Sequence, residues 1–399
     1  MRFALSAAAM ALGLAGCSFS KDNTEPPAEL VSFEPSLGVE MVWIRDSGAG
    51  TDELFRRLEP YVDGDAVFVA DADGNVSAWD IETGKRRWRV DLDQTLTAGV
   101  NGGDGILVVG ARSGEAIALR QGSGEEIWRE RLSSEVMAVS EIEFDTVVLR
   151  TNDGKLHAAA AESGQVLWQV GRKTPALSLR GASRPLVTRG VVIAGFDNGK
   201  VMTVRLDDGD PLWEVTVAVP SGRSELERMV DIDGQLDTFG DTLYAVSFQG
   251  RVSAVSLREG RVLWTRDASS YSGLVVDREH LFLTDEWGAV WCLDRQTGAT
   301  LWKQDALRLR QVTTPAIVGD HVVVGDLEGY VHWISREDGS FAARTRVDSE
   351  AILAAPLVRD DRVLVLGSGG ELASLRPAAL DEDEDAARGP DRPDRLAGY

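Results

Sequence analysis

Hydrophobic and polar residues alternate with period two in short runs along most of the chain, and turns containing glycine separate these runs. The first clear example is AVFVADADGNVSAWDIETGKRRWRV at residues 66–90, where two glycine turns separate three runs. Successive side chains of a strand point to opposite faces, and glycine accepts the positive φ that tight hairpin turns need. The segment therefore predicts three antiparallel strands.

The same pattern occurs eight times, at a spacing of about 40 residues. An additional apolar run precedes each copy, as at residues 313–318 and 354–358, so each copy supplies four strands. Four strands per 40 residues or so is typical of a β-propeller blade. The first turn of each copy ends in Gly74, Gly114, Gly154, Gly199, Gly250, Gly288, Gly329 or Gly370, and the second turn ends in Gly84, Gly124, Gly164, Gly209, Gly260, Gly298 or Gly339.

A tryptophan follows the second glycine in six copies, whereas the seventh copy has Ala343 at this position. A large amphipathic ring can wedge between neighbouring sheets and donate its indole N–H to a carbonyl, so we expect a structural role. The six residues are Trp88, Trp128, Trp168, Trp213, Trp264 and Trp302.

The eighth copy ends near Arg376 without a tryptophan-bearing strand, while the segment MVWIRD at residues 41–46 carries Trp43 and belongs to no copy. The N-terminal strand can therefore complete the last blade. The sequence predicts an all-β fold over residues 41–377, an eight-bladed β-propeller of four-stranded antiparallel blades closed by the N-terminal strand.

The N-terminal residues predict export. Arg2 precedes an apolar run at residues 3–14, and the segment ends in LAGC at residues 14–17, so residues 1–16 are predicted to be a signal peptide. The LAGC ending resembles the bacterial lipobox, which implies lipidation of Cys17; ordinary cleavage after a small residue is the alternative. Residues 17–40 would then be the lipidated N-terminus and a linker. Ser18, by resemblance to such lipoproteins, favours the periplasmic face of the outer membrane.

The formal net charge of −22 argues against nucleic acid as a partner, because phosphate contacts need clustered Lys and Arg. Residues 378–399 are rich in acids, Pro and Gly, so we expect a disordered acidic tail. The four histidines lie in separate copies without metal-ligand spacing, and the acids lie mostly in turns. We therefore predict no catalytic residue, no cofactor, no metal site and no enzyme activity.

Two connections between copies are longer than the others, at residues 171–185 and 217–232. Long loops on a rigid scaffold commonly carry function. Leu177, Leu179 and Arg180 have the composition of a small interface core with a charged anchor. Alternatively, both leucines pack inward. Arg180 could pair with Asp231 or Asp233 of the same chain, or with a carboxylate of a partner.

The turn sequence D-x-x-T-G-x-x-x-W, at residues 80–88 and 294–302, resembles the repeat of pyrroloquinoline-quinone enzymes and of non-enzymatic propellers built from the same blade. Together with the lipobox, LSLRG at residues 177–181 and VGDLEGYVHWISREDG at residues 324–339 resemble the BamB family, the lipoproteins of outer-membrane β-barrel assembly. The second resemblance extends over the whole predicted mature chain.

The resemblance to the BamB family implies a non-catalytic scaffold subunit of the β-barrel assembly (BAM) complex, monomeric within a hetero-complex that can include other BAM lipoproteins. It would dock on the POTRA domains of a BamA-type barrel protein and so aid the folding and insertion of barrel proteins. The implied partner-binding residues are Leu177, Leu179, Arg180, Asp231 and Asp233. The continuation Gly-Gln-Leu-Asp at residues 234–237 departs from the Thr-Pro expected in that family. The alternatives are a quinoprotein dehydrogenase and a propeller that binds a glycan or small ligand in its channel.

Overall fold

A computed structural model describes residues 25–51, 57–175, 177–179, 181 and 183–380. These residues form 32 strands in eight four-stranded antiparallel sheets, arranged as blades in a ring, and they contain no helix. The predicted eight-bladed propeller is therefore confirmed. No helix that could cross a membrane is found in the described part of the chain. Cys17 and residues 381–399 lie outside the described residues.

The first strand of each sheet lies nearest the centre of the ring and, except in the second blade, where it has eight residues, has only three or four residues. These strands are β2 (Tyr61–Asp63), β6 (Leu96–Gly103), β10 (Val136–Val139), β14 (Leu186–Thr188), β18 (Asp237–Phe239), β22 (Gly273–Val276), β26 (Ala316–Val318) and β30 (Leu357–Arg359). The second strands are β3 (Ala66–Ala70), β7 (Ile106–Ala111), β11 (Thr146–Thr151), β15 (Val191–Gly195), β19 (Thr242–Val246), β23 (His280–Thr284), β27 (His321–Gly325) and β31 (Arg362–Leu366).

The third and fourth strands complete each blade toward the outside. The third strands are β4 (Asn75–Asp80), β8 (Glu115–Arg120), β12 (Lys155–Ala160), β16 (Lys200–Arg205), β20 (Arg251–Ser256), β24 (Val290–Asp294), β28 (Tyr330–Ser335) and β32 (Glu371–Ala378). The fourth strands are β5 (Arg86–Asp91), β9 (Glu126–Arg131), β13 (Val166–Gly171), β17 (Pro211–Thr216), β21 (Val262–Asp267), β25 (Thr300–Gln304), β29 (Phe341–Arg346) and, from the N-terminus, β1 (Gly38–Asp46).

Burial follows the position of a strand within its blade. All five residues of β3 are buried, whereas exposed and partly buried residues alternate along most of β5. The second and third strands are covered on both faces by neighbouring blades, so their sequences are nearly continuous apolar runs. The core therefore lies between blades; Phe68 of the first blade, for example, packs in one cluster with Leu107 and Ile117 of the second.

The tryptophans of the fourth strands form one repeated contact between blades. The Trp88 ring lies against Gly124 of the next blade, where a Cβ atom would come within 2.7 Å of the ring, so only glycine fits. Each indole N–H donates to a carbonyl of the next blade, which confirms the predicted wedge. The bonds join Trp43 to Ile81 (3.0 Å), Trp88 to Gln121 (2.9 Å), Trp128 to Ala161 (2.7 Å), Trp168 to Leu206 (2.7 Å), Trp213 to Leu257 (2.8 Å), Trp264 to Arg295 (3.1 Å) and Trp302 to Arg336 (2.8 Å).

The first turns use glycine as predicted, with one exception. Seven of the eight first-turn glycines have positive φ, but Gly250 does not, and the preceding Gln249 takes a φ of 46° instead. The expectation that glycine supplies the positive φ is therefore wrong at Gly250. Glycine is needed there for space, because a Cβ atom would lie 2.0 Å from Oγ of Ser247.

The ring closes through the N-terminal strand, as predicted. Strand β1 pairs antiparallel with β32, from Gly38 opposite Ala378 to Asp46 opposite Glu371, with a bulge between Met41 and Trp43. The strand begins three residues before the MVWIRD segment, because β32 extends to Ala378 and offers backbone partners that far. The eighth blade thus takes three strands from one end of the described chain and one from the other.

The absence of a tryptophan in the seventh copy follows from this closure. The eighth blade has no turn between its third and fourth strands, because β1 arrives from the N-terminus, so no turn glycine is present to receive a ring. Residues 25–37, here called the N-terminal segment, lie against the seventh blade instead. The amides of Ser36 and Leu37 donate to the Ala342 carbonyl at 3.0 and 3.2 Å, and the Phe33 ring stacks on Phe341 with centroids 5.5 Å apart.

Arg344 of the seventh blade and two arginines of the connection that precedes this blade hold the rest of the N-terminal segment. The Ala28 amide donates to the Arg308 carbonyl at 2.9 Å, and Arg310 donates through Nη1 to the Ala28 carbonyl at 3.0 Å. Arg344 donates to the Val31 carbonyl at 3.1 Å. The N-terminal segment is therefore fixed to the seventh blade and to the connection before it over most of its length.

Candidate functional site

Three long connections lie at one end of the ring. Residues 172–185 and 217–236 join the fourth strand of one blade to the first strand of the next, which agrees with the two long connections seen in the sequence. Residues 47–60 make the equivalent connection from β1 to β2; sequence reasoning missed it, because it falls between the N-terminal strand and the first complete copy. Equivalent connections emerge at the same end of a propeller. We call this end the channel mouth.

Both connections recognised in the sequence expose aliphatic side chains at the channel mouth. Leu177 is 43% exposed, and in the longer connection Val219 and Leu226 are 74% and 60% exposed. Leu179 is partly buried. Of the two orientations left open by the sequence, the outward one therefore holds for Leu177, while Leu179 turns toward the channel, whose wall it joins.

Asp231 lies beneath the loop that carries the leucines. Its side chain is buried, and Oδ2 accepts a hydrogen bond from the backbone N–H of Leu179, so the two connections are joined directly. Its own backbone is also fixed, because the Phe248 amide donates to the Asp231 carbonyl at 2.9 Å. Burial raises the pKa of Asp231 to about 6, against the opposing effect of the hydrogen bond from Leu179.

Asp233 is buried even more completely, with 5% of its surface exposed. Neither carboxylate oxygen accepts a hydrogen bond, and burial raises the pKa of Asp233 to about 7. Gly181, the last residue of LSLRG, passes directly over it; a Cβ atom at Gly181 would lie 3.0 Å from the Asp233 Cγ atom. The structure therefore brings Leu179, Gly181, Asp231 and Asp233 together, with both acids inside.

Arg180 lies outside the described residues, so its pairing stays a prediction. Among the described residues, Arg150 acts on both acids: its positive charge opposes the rise in the pKa of Asp231 and of Asp233. Arg150 is buried on β11, donates to the Gly195 carbonyl and forms a 2.5 Å ion pair with Asp197. Sequence reasoning missed Arg150, although a charge within the apolar run TVVLRT signals a buried ion pair.

The departure at residue 234 from the Thr-Pro expected after the acidic pair has a local explanation. Gly234 passes so close to Gly273 of the next blade that a Cβ atom at residue 234 would lie 2.7 Å from the Gly273 Cα atom. Gln235 forms an isolated parallel bridge with Gly273, and its amide donates to the Ser272 carbonyl at 3.4 Å. The connection at residues 217–236 therefore packs against Gly273 of the next blade, and this close approach leaves no room for a side chain at residue 234.

A cavity of about 820 Å³ lies at the centre of the channel mouth. Its wall is built mostly from residues that lie in the first strand of a blade or just before it, including Arg57, Asn101, Val139, Asp233, Tyr271 and Val312, and every blade contributes. Sequence reasoning missed this wall because its residues are far apart in the chain, although they occupy equivalent places in the repeats. No cluster of His, Cys, Asp and Glu suited to a metal ion occurs among the described residues.

Comparison with known proteins gives consistent results over nearly the whole chain. The family model described as "Outer membrane protein assembly factor BamB" matches residues 29–97, 72–304 and 297–383. The BamB protein of Xanthomonas campestris is 40% identical over 392 residues, covering 93% of this chain and 96% of that protein. The BamB protein of Pseudomonas aeruginosa is 42% identical over 366 residues, covering 92% and 96%.

Solved structures show the same fold. The crystal structure of BamB from Moraxella catarrhalis is similar with a TM-score of 0.79 at 25% sequence identity, covering 85% of this chain and 100% of that one. Quinohemoprotein alcohol dehydrogenase from Comamonas testosteroni is similar with a TM-score of 0.68 at 12% identity, covering 90% of this chain and 78% of that one. At that identity the likeness to the dehydrogenase shows the propeller fold alone.

Proposed function

The chain belongs to the BamB family of outer-membrane protein assembly factors, and from this membership we propose that it is a non-catalytic scaffold subunit of the outer-membrane β-barrel assembly complex. The observation that carries the proposal is the match over more than nine-tenths of the chain to proteins named as assembly factors. A closed propeller suits this role, because its blades are wedged together and it presents loops at fixed positions.

The docking surface that we propose is the channel mouth, and its partner is the POTRA region of a BamA-type barrel protein. Leu177 is exposed there, and the next long connection also exposes aliphatic residues. Exposed aliphatic groups with a neighbouring arginine, here Arg180, suit the core of a small protein interface. Asp231 and Asp233 would support the exposed loop from its buried side. Asp231 would do so through the hydrogen bond that it accepts from the backbone N–H of Leu179.

Attachment to the outer membrane from its periplasmic side would come from lipid on Cys17. The N-terminal segment, which follows Cys17 in the sequence, is bound to the seventh blade by Val31 and Phe33 and to the connection before this blade by Ala28. A lipid at Cys17 would therefore tether the propeller close to that blade rather than through a long free linker.

The test is a calorimetric titration of the lipid-free chain with the soluble periplasmic region of the BamA-type protein from the same organism. Leu177→Glu and Arg180→Glu should each weaken binding about tenfold or more, because each removes a central contact of the proposed interface. Leu301→Glu is the matched control, since Leu301 is 53% exposed on the fourth strand of the sixth blade, away from the channel mouth. Its affinity should equal that of the unmodified chain.

Absence of binding by the unmodified folded chain would contradict the docking proposal. Equal loss of binding in Leu301→Glu and Leu177→Glu would place the interface elsewhere on the ring. Melting temperatures of all three variants should stay close to that of the unmodified chain, which separates lost docking from lost folding.

A further inference from the structure

The cavity at the channel mouth contains a carboxylate that the fold leaves without a partner. Asp233 lines this cavity of about 820 Å³, is almost fully buried, and has both oxygen atoms without a hydrogen-bond donor. A buried polar group without a partner is costly, and most such groups in folded proteins are satisfied. The exception therefore calls for a physical account.

Other polar side chains of the cavity wall are engaged by the fold itself. They donate to backbone carbonyls of the neighbouring blade and so connect the first strands of adjacent blades. These bonds join Thr97 to Val136 (2.8 Å), Asn101 to Val139 (3.1 Å) and Ser272 to Val312 (2.9 Å). The contrast with Asp233 indicates that its oxygens are not needed for the assembly of the ring.

Two arginines line the same cavity, but each is held by other groups. Arg57 donates through Nη2 and Nη1 to the carbonyls of Tyr271 and Ser272, at 2.8 and 3.3 Å. Arg184 lies 4.0 Å from the carboxylate of Glu59. Neither guanidinium is a hydrogen-bond partner of Asp233, so the space beside its oxygens remains for a group from outside the described structure.

We propose that the channel mouth binds an alkyl-guanidinium or alkylammonium group, with the cationic head on Asp233 and the aliphatic stem against the apolar wall. A guanidinium offers two parallel donors to the two oxygens of a carboxylate, and an ammonium offers three. The wall supplies apolar contacts from Val100, Val139 and Val312. The cavity volume is within the range of small-ligand sites.

The charges around Asp233 favour a cation over an anion. Among the described residues, Asp197 and Asp231 act on Asp233 as negative neighbours, and Arg150, whose opposing effect is the largest, is already paired with Asp197. Arg57 has the weakest influence among these charges. A cation bound to Asp233 would therefore also be attracted by the charges of Asp197 and Asp231, which Arg150 and Arg57 offset only in part.

The direct test uses two isosteric compounds and calorimetry on the purified chain. N-acetyl-arginine amide carries a guanidinium head, and N-acetyl-citrulline amide replaces it by a neutral urea of nearly the same shape. We expect the arginine compound to bind about tenfold tighter or more, as a charge-assisted bidentate contact requires. N-acetyl-lysine amide tests the ammonium arm. Equal affinity for the arginine and citrulline compounds would overturn the proposal.

Asp233→Asn should reduce binding of the arginine compound to the level of the citrulline compound, because it removes the charge and keeps the shape. Asp237→Asn is the matched control: Asp237 is a partly buried acid close in sequence, but it accepts hydrogen bonds from Val276 (2.9 Å) and Thr238 (2.7 Å) and does not line the cavity. The control should bind normally. Full affinity in Asp233→Asn would contradict the site.

A second variant keeps the test independent of any folding defect in Asp233→Asn. Leu353→Trp introduces a larger ring at a partly buried position of the cavity wall and should weaken binding by filling the space. Unchanged affinity in a folded Leu353→Trp protein would place the bound compound outside the cavity and would overturn the proposal.

The source of the cation is distinguished by repeating the titration with the chain saturated by the partner's periplasmic region. Loss of the arginine compound's binding would mean that a side chain of the partner occupies the site, whereas retained binding would mean a free small cation. The site itself does not depend on docking. Leu177→Glu should lose the partner and keep the arginine compound, so failure of either proposal can be recognised separately.

Discussion

The tryptophan wedges and the channel mouth differ in whether their buried polar groups have hydrogen-bond partners. Each wedge is a neutral ring on a glycine, and the indole N–H of every one of the seven wedges has a carbonyl acceptor. The channel mouth instead contains two buried acids, of which Asp233 has no hydrogen-bond partner, together with long loops and exposed aliphatic side chains. The difference teaches that the wedges hold the blades together. The channel mouth keeps a buried carboxylate without a donor and exposed aliphatic side chains, which are costly in the free chain and would be satisfied by a bound group.

The largest expected effect is at a wedge. Trp128→Ala should destabilise the fold by roughly 3–5 kcal/mol, because it removes a large interblade ring together with its hydrogen bond to Ala161. Urea unfolding at pH 5 and at pH 8 should give the same loss, since no charge takes part in the contact. A fully stable variant would contradict the role given to the wedges.

At the channel mouth, in contrast, we expect a substitution that raises the free energy of unfolding. The pKa of Asp233 is about 7 in the folded chain, against an ordinary value of 3.8, so the unfolded state loses its proton first as the pH rises. This carboxyl therefore lowers stability progressively between about pH 4 and pH 7. The shift corresponds to about 4 kcal/mol, and the uncharged amide avoids this cost, so Asp233→Asn should gain on the order of 4 kcal/mol at pH 8.

The same variant should differ little from the unmodified chain at pH 4, where the acid of the folded chain is protonated. The measurement is a series of urea unfolding curves from pH 4 to pH 8 without added ligand. A stability difference that does not change with pH would show that the pKa of Asp233 is not raised. It would contradict the statement that the channel mouth contains a buried group that lowers stability.

A smaller effect is expected where the ring lacks a wedge. Phe33→Ala removes the ring that stacks on Phe341 and should cost about 1–2 kcal/mol. The amides of Ser36 and Leu37, which donate to Ala342, should exchange faster with deuterium in this variant. Val31→Ala serves as control, since its side chain is exposed and its contribution is the backbone carbonyl. Unchanged exchange in Phe33→Ala would mean that the N-terminal segment is held without its ring.

The smallest effect on stability is expected at the proposed docking surface. Leu177→Glu should change the free energy of unfolding by no more than about 0.5 kcal/mol, because the side chain is exposed and few contacts are lost. Urea unfolding beside Trp128→Ala measures the contrast directly. A loss of several kcal/mol would mean that Leu177 supports the loop internally, and the proposed interface would need another exposed anchor.

The sequence by itself determined the repeat, the blade and the closure. Glycine turns and alternating runs are local properties, so eight copies of one pattern specify eight sheets without knowledge of any distant contact. The position of each tryptophan after its glycine was equally visible. Even the unmatched Trp43 identified the strand that closes the ring.

The tertiary structure alone decided what the acidic pair does. Asp231 and Asp233 look like ordinary loop acids in the sequence, yet both are buried, one under the backbone of Leu179 and the other in the wall of a cavity. It also revealed Arg150 and the connection at residues 47–60, and it explained Ala343 by the N-terminal segment that replaces a wedge. The burial and the pKa of these acids depend on residues that are far apart in the sequence and come together from all eight blades, and a local sequence pattern cannot predict such contacts.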